Sequence, residues 1–109
     1  MMSLNKNSKR HEVDHALRSE LEFKAVARRN KRLGLWLAEA MGLSGDAAES
    51  YARDVVHADL DRPGDDDLME KVMGDIQARA LGISESDIRA KLDELLRVAR
   101  GEINEEAAR

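Results

Sequence analysis

Three apolar stripes, each at the period of an α-helix and each closed by a glycine or a Pro-Gly pair, followed by a fourth, constrain this chain more than any other feature. Leu33, Trp36, Leu37, Ala40 and Met41 stand at i, i+3, i+4, i+7 and i+8, and Gly42 follows as a C′ stop. After Ser44, an N-cap residue, Ala48, Tyr51, Ala52 and Val55 repeat the spacing until Pro63-Gly64 breaks the chain. Asp65, Asp66 and Asp67 suit the positive end of a helix dipole, and Met69, Val72, Met73, Ile76 and Ala80 then share one face up to Gly82. Ser84 opens a fourth helix in Ser-Glu-Ser-Asp, a capping box with Asp in its last place. Its stripe is Ile88, Leu92, Leu95, Leu96, Ala99 and Ile103.

Short connections between the helices favour antiparallel neighbours, and no strand candidate competes. The predicted fold class is therefore all-α, a four-helix bundle with a mobile N-terminal segment: residues 1–20 form the segment and 21–109 the bundle. The first helix is expected from about Glu12 to Met41, with a thin stripe of Leu17, Leu21 and Ala25 in its first half, interrupted by KAVARRNKR. The tail after Ile103 is expected to fray. Composition agrees with a small helical core, since 42% of residues are hydrophobic but only 3% aromatic. Cysteine is absent, so disulfides and thiolate metal sites are not available. No apolar run approaches the roughly 18 residues of a membrane span, and the N-terminus lacks a secretory h-region, which predicts a cytoplasmic protein.

Charge is distributed unevenly. Up to Arg32 nine Lys/Arg stand against four Asp/Glu, and beyond it nine stand against eighteen. The basic stretch Lys24, Arg28, Arg29, Lys31 and Arg32 would serve a nucleic-acid-binding helix, but Phe23 is its only close aromatic and the chain as a whole is acidic. Pairing with the acidic helices, or contact with a protein partner, is the more economical use.

Two motifs suggest metals. HEVDH, His11 to His15, fits the zinc-protease pattern H-E-x-x-H, yet it sits beside the polar N-terminus rather than inside a core, and a third ligand is not singled out. Two solvated histidines are the expected reading. DLDRPGDDDLME places Asp59, Asp61, Gly64, Asp67 and Glu70 at positions 1, 3, 6, 9 and 12 of an EF-hand loop. Against it, Pro63 at position 5 offers no side-chain oxygen and Asp66 fills position 8, where an apolar residue packs. A Pro-Gly turn leading into an acidic helix start is preferred, and the expectation is no metal, no cofactor and no catalysis. A nucleotide ligand has no phosphate-cradling glycine-rich loop to locate it.

FKAVARRNKRLGLWLAEAMG (Phe23 to Gly42), YARDVV from Tyr51, DRPGDDD from Asp61 and SESDIRAKLDELL closely resemble the ζ subunit of alphaproteobacterial F-type ATP synthases. The likeness runs in unbroken order from about Leu21 to Ile103, and RRNKxLGLW is its most specific part. What it implies is a four-helix bundle that inhibits ATP hydrolysis by the F1 sector, lying peripherally at the inner membrane. The N-terminal segment would enter a catalytic interface between α and β subunits, beside γ. On that resemblance the partner-binding residues are Leu4, Lys9, Arg10, His11, Val13, His15, Leu17 and Arg18, with Lys24, Arg28, Arg29, Lys31 and Arg32 as additional contacts. An ungapped count back from Phe23 puts family aromatic residues where this chain has Leu4, His11 and His15.

Overall fold

The computed structural model describes residues 14–60, 62 and 64–109 with their side chains. It contains four α-helices in chain order: α1 (Met2–Ala40), α2 (Gly45–Ala58), α3 (Asp66–Ala78) and α4 (Glu85–Ala108), with no strand among the described residues. The fold class is all-α, as the stripes require. The N-terminal segment expected to be mobile lies, through residue 13, outside the described residues.

The four stripes are buried or partly buried along their length, except that Ala40, the last residue of α1, and Ala80, beyond the end of α3, are exposed. Leu33 and Leu37 of α1 meet Val55 of α2, Leu68, Met69, Val72 and Ile76 of α3, and Ile88 and Leu92 of α4 in one core. Trp36 lies at the edge of that core, partly buried, with Lys91 Nζ 5.1 Å from its ring centre. A second, smaller core forms farther down α1, where Ala25 packs with Ala99 and Ile103 of α4 and is flanked by Leu21 and Leu96. Thus α4 runs back along α1, from Lys91 at Trp36 to Arg100, which pairs with Glu22.

Caps set the helix lengths. At the end of α1, Leu43 N–H donates to Ala38 O and Gly42 N–H to Glu39 O while Gly42 takes φ 78°, a Schellman motif. The same motif closes α3, with Leu81 N–H donating to Ile76 O and Ala80 N–H to Gln77 O. There the C′ residue is Ala80, at φ 51°, two positions before Gly82, the stop expected from sequence, which is itself left-handed at φ 70°. Ser84 and Asp87 form the reciprocal capping box of α4, each side chain bonding the other's backbone N–H at 3.0 Å. Ser44 holds the extended N-cap backbone of α2 without a side-chain bond. Contrary to the expected fraying, α4 continues past Ile103 to Ala108. The reason is electrostatic: Glu106 receives both terminal nitrogens of Arg28, at 2.6 and 3.0 Å, so the last turns are tied to α1.

Helices α1 and α2 approach each other at Gly34. A Cβ at this position would lie 2.6 Å from the Cα of Ala52, so only glycine permits this separation.

Candidate partner-binding surface

The stretch that interrupts the α1 stripe builds a polar clamp. Arg29 and Asn30 are 5% and 2% exposed, the two buried polar residues of the described part. Arg29 forks onto Asp65, Nη2 to Oδ1 at 2.7 Å and Nη1 to Oδ2 at 3.3 Å, and its Nε donates to Asn30 Oδ1 at 2.9 Å. Asn30 Nδ2 in turn donates to Asp59 Oδ2 at 2.8 Å, and Arg29 Nη2 stands 3.7 Å from that same oxygen. Side chains from α1 therefore hold both ends of the connection between α2 and α3. Burial raises the Asp59 pKa above the ordinary carboxylate value and nearby Asp65 and Asp67 add to this, against the Asn30 hydrogen bond and the charge of Arg29. Asp59 Oδ1 is buried and no donor among the described residues reaches it.

Beside this clamp lies an open groove of about 630 Å³ between α1, the end of α2, the α2–α3 connection and α4. Phe23, Val26, Val56, Leu60 and Leu96 give it apolar walls, and Asp59 and Asp65 line its polar end. Phe23 and Leu60 are 63% and 56% exposed, unusual for side chains of this size.

The residues expected to bind a partner divide into three groups. Leu4, Lys9, Arg10, His11 and Val13 lie outside the described residues. His15, Leu17 and Arg18 are exposed on α1, Leu17 by 51%. The basic stretch is engaged within the chain: Lys24 with Glu20, Arg28 with Glu102 and Glu106, Arg29 with Asp65, Lys31 with Glu49, and Arg32 with Glu102. Arg32 and Arg28 hold the Glu102 carboxyl below its usual range, and Arg28 does the same to Glu106. A helix meant to grip nucleic acid would leave such cations facing phosphate, and here they face carboxylates. In the loop that resembles an EF-hand, Asp59 is bonded by Asn30 and Asp67 by Arg62, and no cluster of metal-ligating side chains occurs among the described residues. The groove itself was not anticipated: Phe23 and Val26 lie off the Leu17, Leu21, Ala25 stripe, and Leu60 lies in a connection without periodicity.

A family model, ATPase inhibitor subunit zeta, matches residues 1–102, which include the exposed part of α1, the clamp and α4 as far as Glu102. The chain belongs to this family. A protein whose structure was determined by NMR in solution is 45% identical to it, with a TM-score of 0.68 over 79% of this chain and 98% of that one. No curated protein matches significantly. Membership in the ATPase inhibitor subunit zeta family makes the chain a regulatory subunit by descent, and no helix among the described residues is long and apolar enough to cross a membrane.

Proposed function

We propose that this chain binds the F1 sector of ATP synthase and inhibits ATP hydrolysis, with its N-terminal segment inserting at a catalytic interface of α and β near γ. The observation that carries the reading is the family match, which spans the N-terminal segment as well as the bundle. The form of α1 supports it: every described residue from Asp14 to Glu20 is exposed, so this part of the helix stands clear of the core that fixes the rest. A stalk free on all sides can enter a crevice in a partner while the bundle remains outside. Leu4, Val13 and Leu17 would supply apolar anchors and Lys9, Arg10 and Arg18 would meet carboxylates, with His11 and His15 at the positions where the family resemblance places aromatic rings. The protein then resides in the cytoplasm, peripheral to the membrane. It performs no chemistry of its own, because blocking rotation needs only a wedge held in place. Titrating purified cognate F1 with the protein tests this directly. ATP hydrolysis should fall with a saturable dose dependence, and undiminished hydrolysis at a large molar excess would dismiss the reading.

A further inference from the structure

The core-facing side of α1 does not stop where the bundle stops. Leu37, Leu33, Asn30, Val26, Phe23, Ser19 and His15 follow one another at steps of three or four residues, a single line along the helix. Leu33 and Leu37 in that line are fully buried and Asn30 almost so, whereas Phe23 is 63% exposed. Cover is lost because α2 ends at Ala58 and the following connection is pinned at Asn30, leaving the groove of Phe23, Val26, Leu60 and Leu96 as the open end of the core. By spacing along the sequence, His11 and Leu4 extend the same line.

We propose that this groove is a second contact surface for F1, one that receives an apolar segment carrying a lysine or arginine. This rests on the reading of the chain as an F1 regulator: a helix whose Leu4, His11 and His15 side faces the enzyme turns the groove toward the same partner. Exposed Phe23 and Leu60 supply the apolar wall. The cation is specified by charge. Asp59 and Asp65 share the single guanidinium of Arg29, and Asp59 Oδ1 has no donor among the described residues. The other ions at the rim are balanced, Glu22 by Arg100 and Arg62 by Asp67, and His57 completes the titratable groups lining the groove.

The full-length protein carrying Phe23→Ser and Leu60→Ser tests the surface, because both side chains are exposed and their loss leaves the core intact. Its melting temperature should match that of the unmodified protein, while the concentration giving half-inhibition of F1 rises about tenfold. Asp59→Asn should raise that concentration about threefold at low salt and less at high salt, as expected for loss of an ionic contact. A double variant as potent as the unmodified chain overturns the groove as a contact, and an Asp59→Asn protein equal to it at every salt overturns the cation. Self-association of the unmodified chain that the double substitution abolishes would assign the groove to a second copy instead. If the unmodified protein fails to bind F1 at all, both the groove and the regulator reading fall, an outcome distinct from a groove variant that leaves binding unchanged.

Discussion

Asp59 is a carboxylate whose folded surroundings favour its protonated form. Because its folded pKa is raised, chiefly by burial, the folded state holds this proton at pH values where the unfolded chain has released it. Asp59 therefore weakens the fold at neutral pH, and the penalty is relieved as pH falls through the raised value toward the unfolded one. Asp67, Asp87, Glu102 and Glu106 act oppositely, since their lowered pKa values stabilise the fold at neutral pH and that contribution is lost on acidification. Asp59→Asn should keep the Asn30 hydrogen bond and leave Arg29 its fork on Asp65, so we expect a gain of about 1 kcal/mol at pH 7. Thermal melts of the two proteins from pH 7 to 4 check this: their difference should shrink as pH falls, and an Asn variant less stable at pH 7 would contradict it. The sequence made legible that the basic stretch pairs with the acidic part of the chain, but not the buried clamp at Asp59. KAVARRNKR reads as a break in an apolar stripe, and the partners that make Arg29 and Asn30 a buried clamp lie far along the chain, at Asp59 and Asp65.

At the level of elements, two positions place glycine and alanine in contrasting roles. Ala80 occupies the left-handed C′ position that Gly42 occupies at the end of α1, and it is exposed, so it contributes no packing. A non-glycine residue there costs about 1–2 kcal/mol, more than the roughly 0.4–1 kcal/mol by which glycine enlarges the unfolded ensemble. Ala80→Gly should accordingly stabilise the protein by about 0.5–1 kcal/mol, read as a higher denaturant midpoint at unchanged slope. Gly34 is the reverse case. Alanine would add about 0.5–1 kcal/mol of helix preference, but its Cβ would strike the Ala52 backbone, and forcing packed helices apart costs about 1–3 kcal/mol. Gly34→Ala should therefore lower the melting temperature, and a rise would mean that α1 and α2 separate freely. Elements whose signals are local were legible: Gly42 as a stop, Ser84 with Asp87 as a capping box, and the Ile88, Leu92, Ala99, Ile103 stripe of α4. Ala80 was not, because alanine carries no signal for a left-handed turn and Gly82 two residues later does. The length of α4 was likewise hidden, since Glu106 looks like part of a solvated tail until Arg28 is placed beside it.

For the whole molecule, the division into a basic first part and an acidic remainder becomes a folding device. Arg28, Arg29, Lys31 and Arg32 of α1 meet Glu102 and Glu106 of α4, Asp65 of the α2–α3 connection and Glu49 of α2. What remains for a partner is then chiefly the exposed, uncovered line of α1 from Phe23 through Ser19 to His15, which His11 and Leu4 extend by spacing. Two histidines are costly on a line meant for burial, because an imidazole entering an interface must shed water that a phenyl ring does not hold. His11→Phe together with His15→Phe should therefore strengthen inhibition of F1, by tenfold or so for about 1.4 kcal/mol of added apolar burial. Since His15 is exposed and lies beyond the packed part of α1, the melting temperature should stay where it is. Parallel inhibition titrations and melts separate the outcomes. A double-phenylalanine protein that inhibits less would show that the imidazoles make polar contacts with F1, and that the line of α1 below Phe23 is read by hydrogen bonds rather than by buried area.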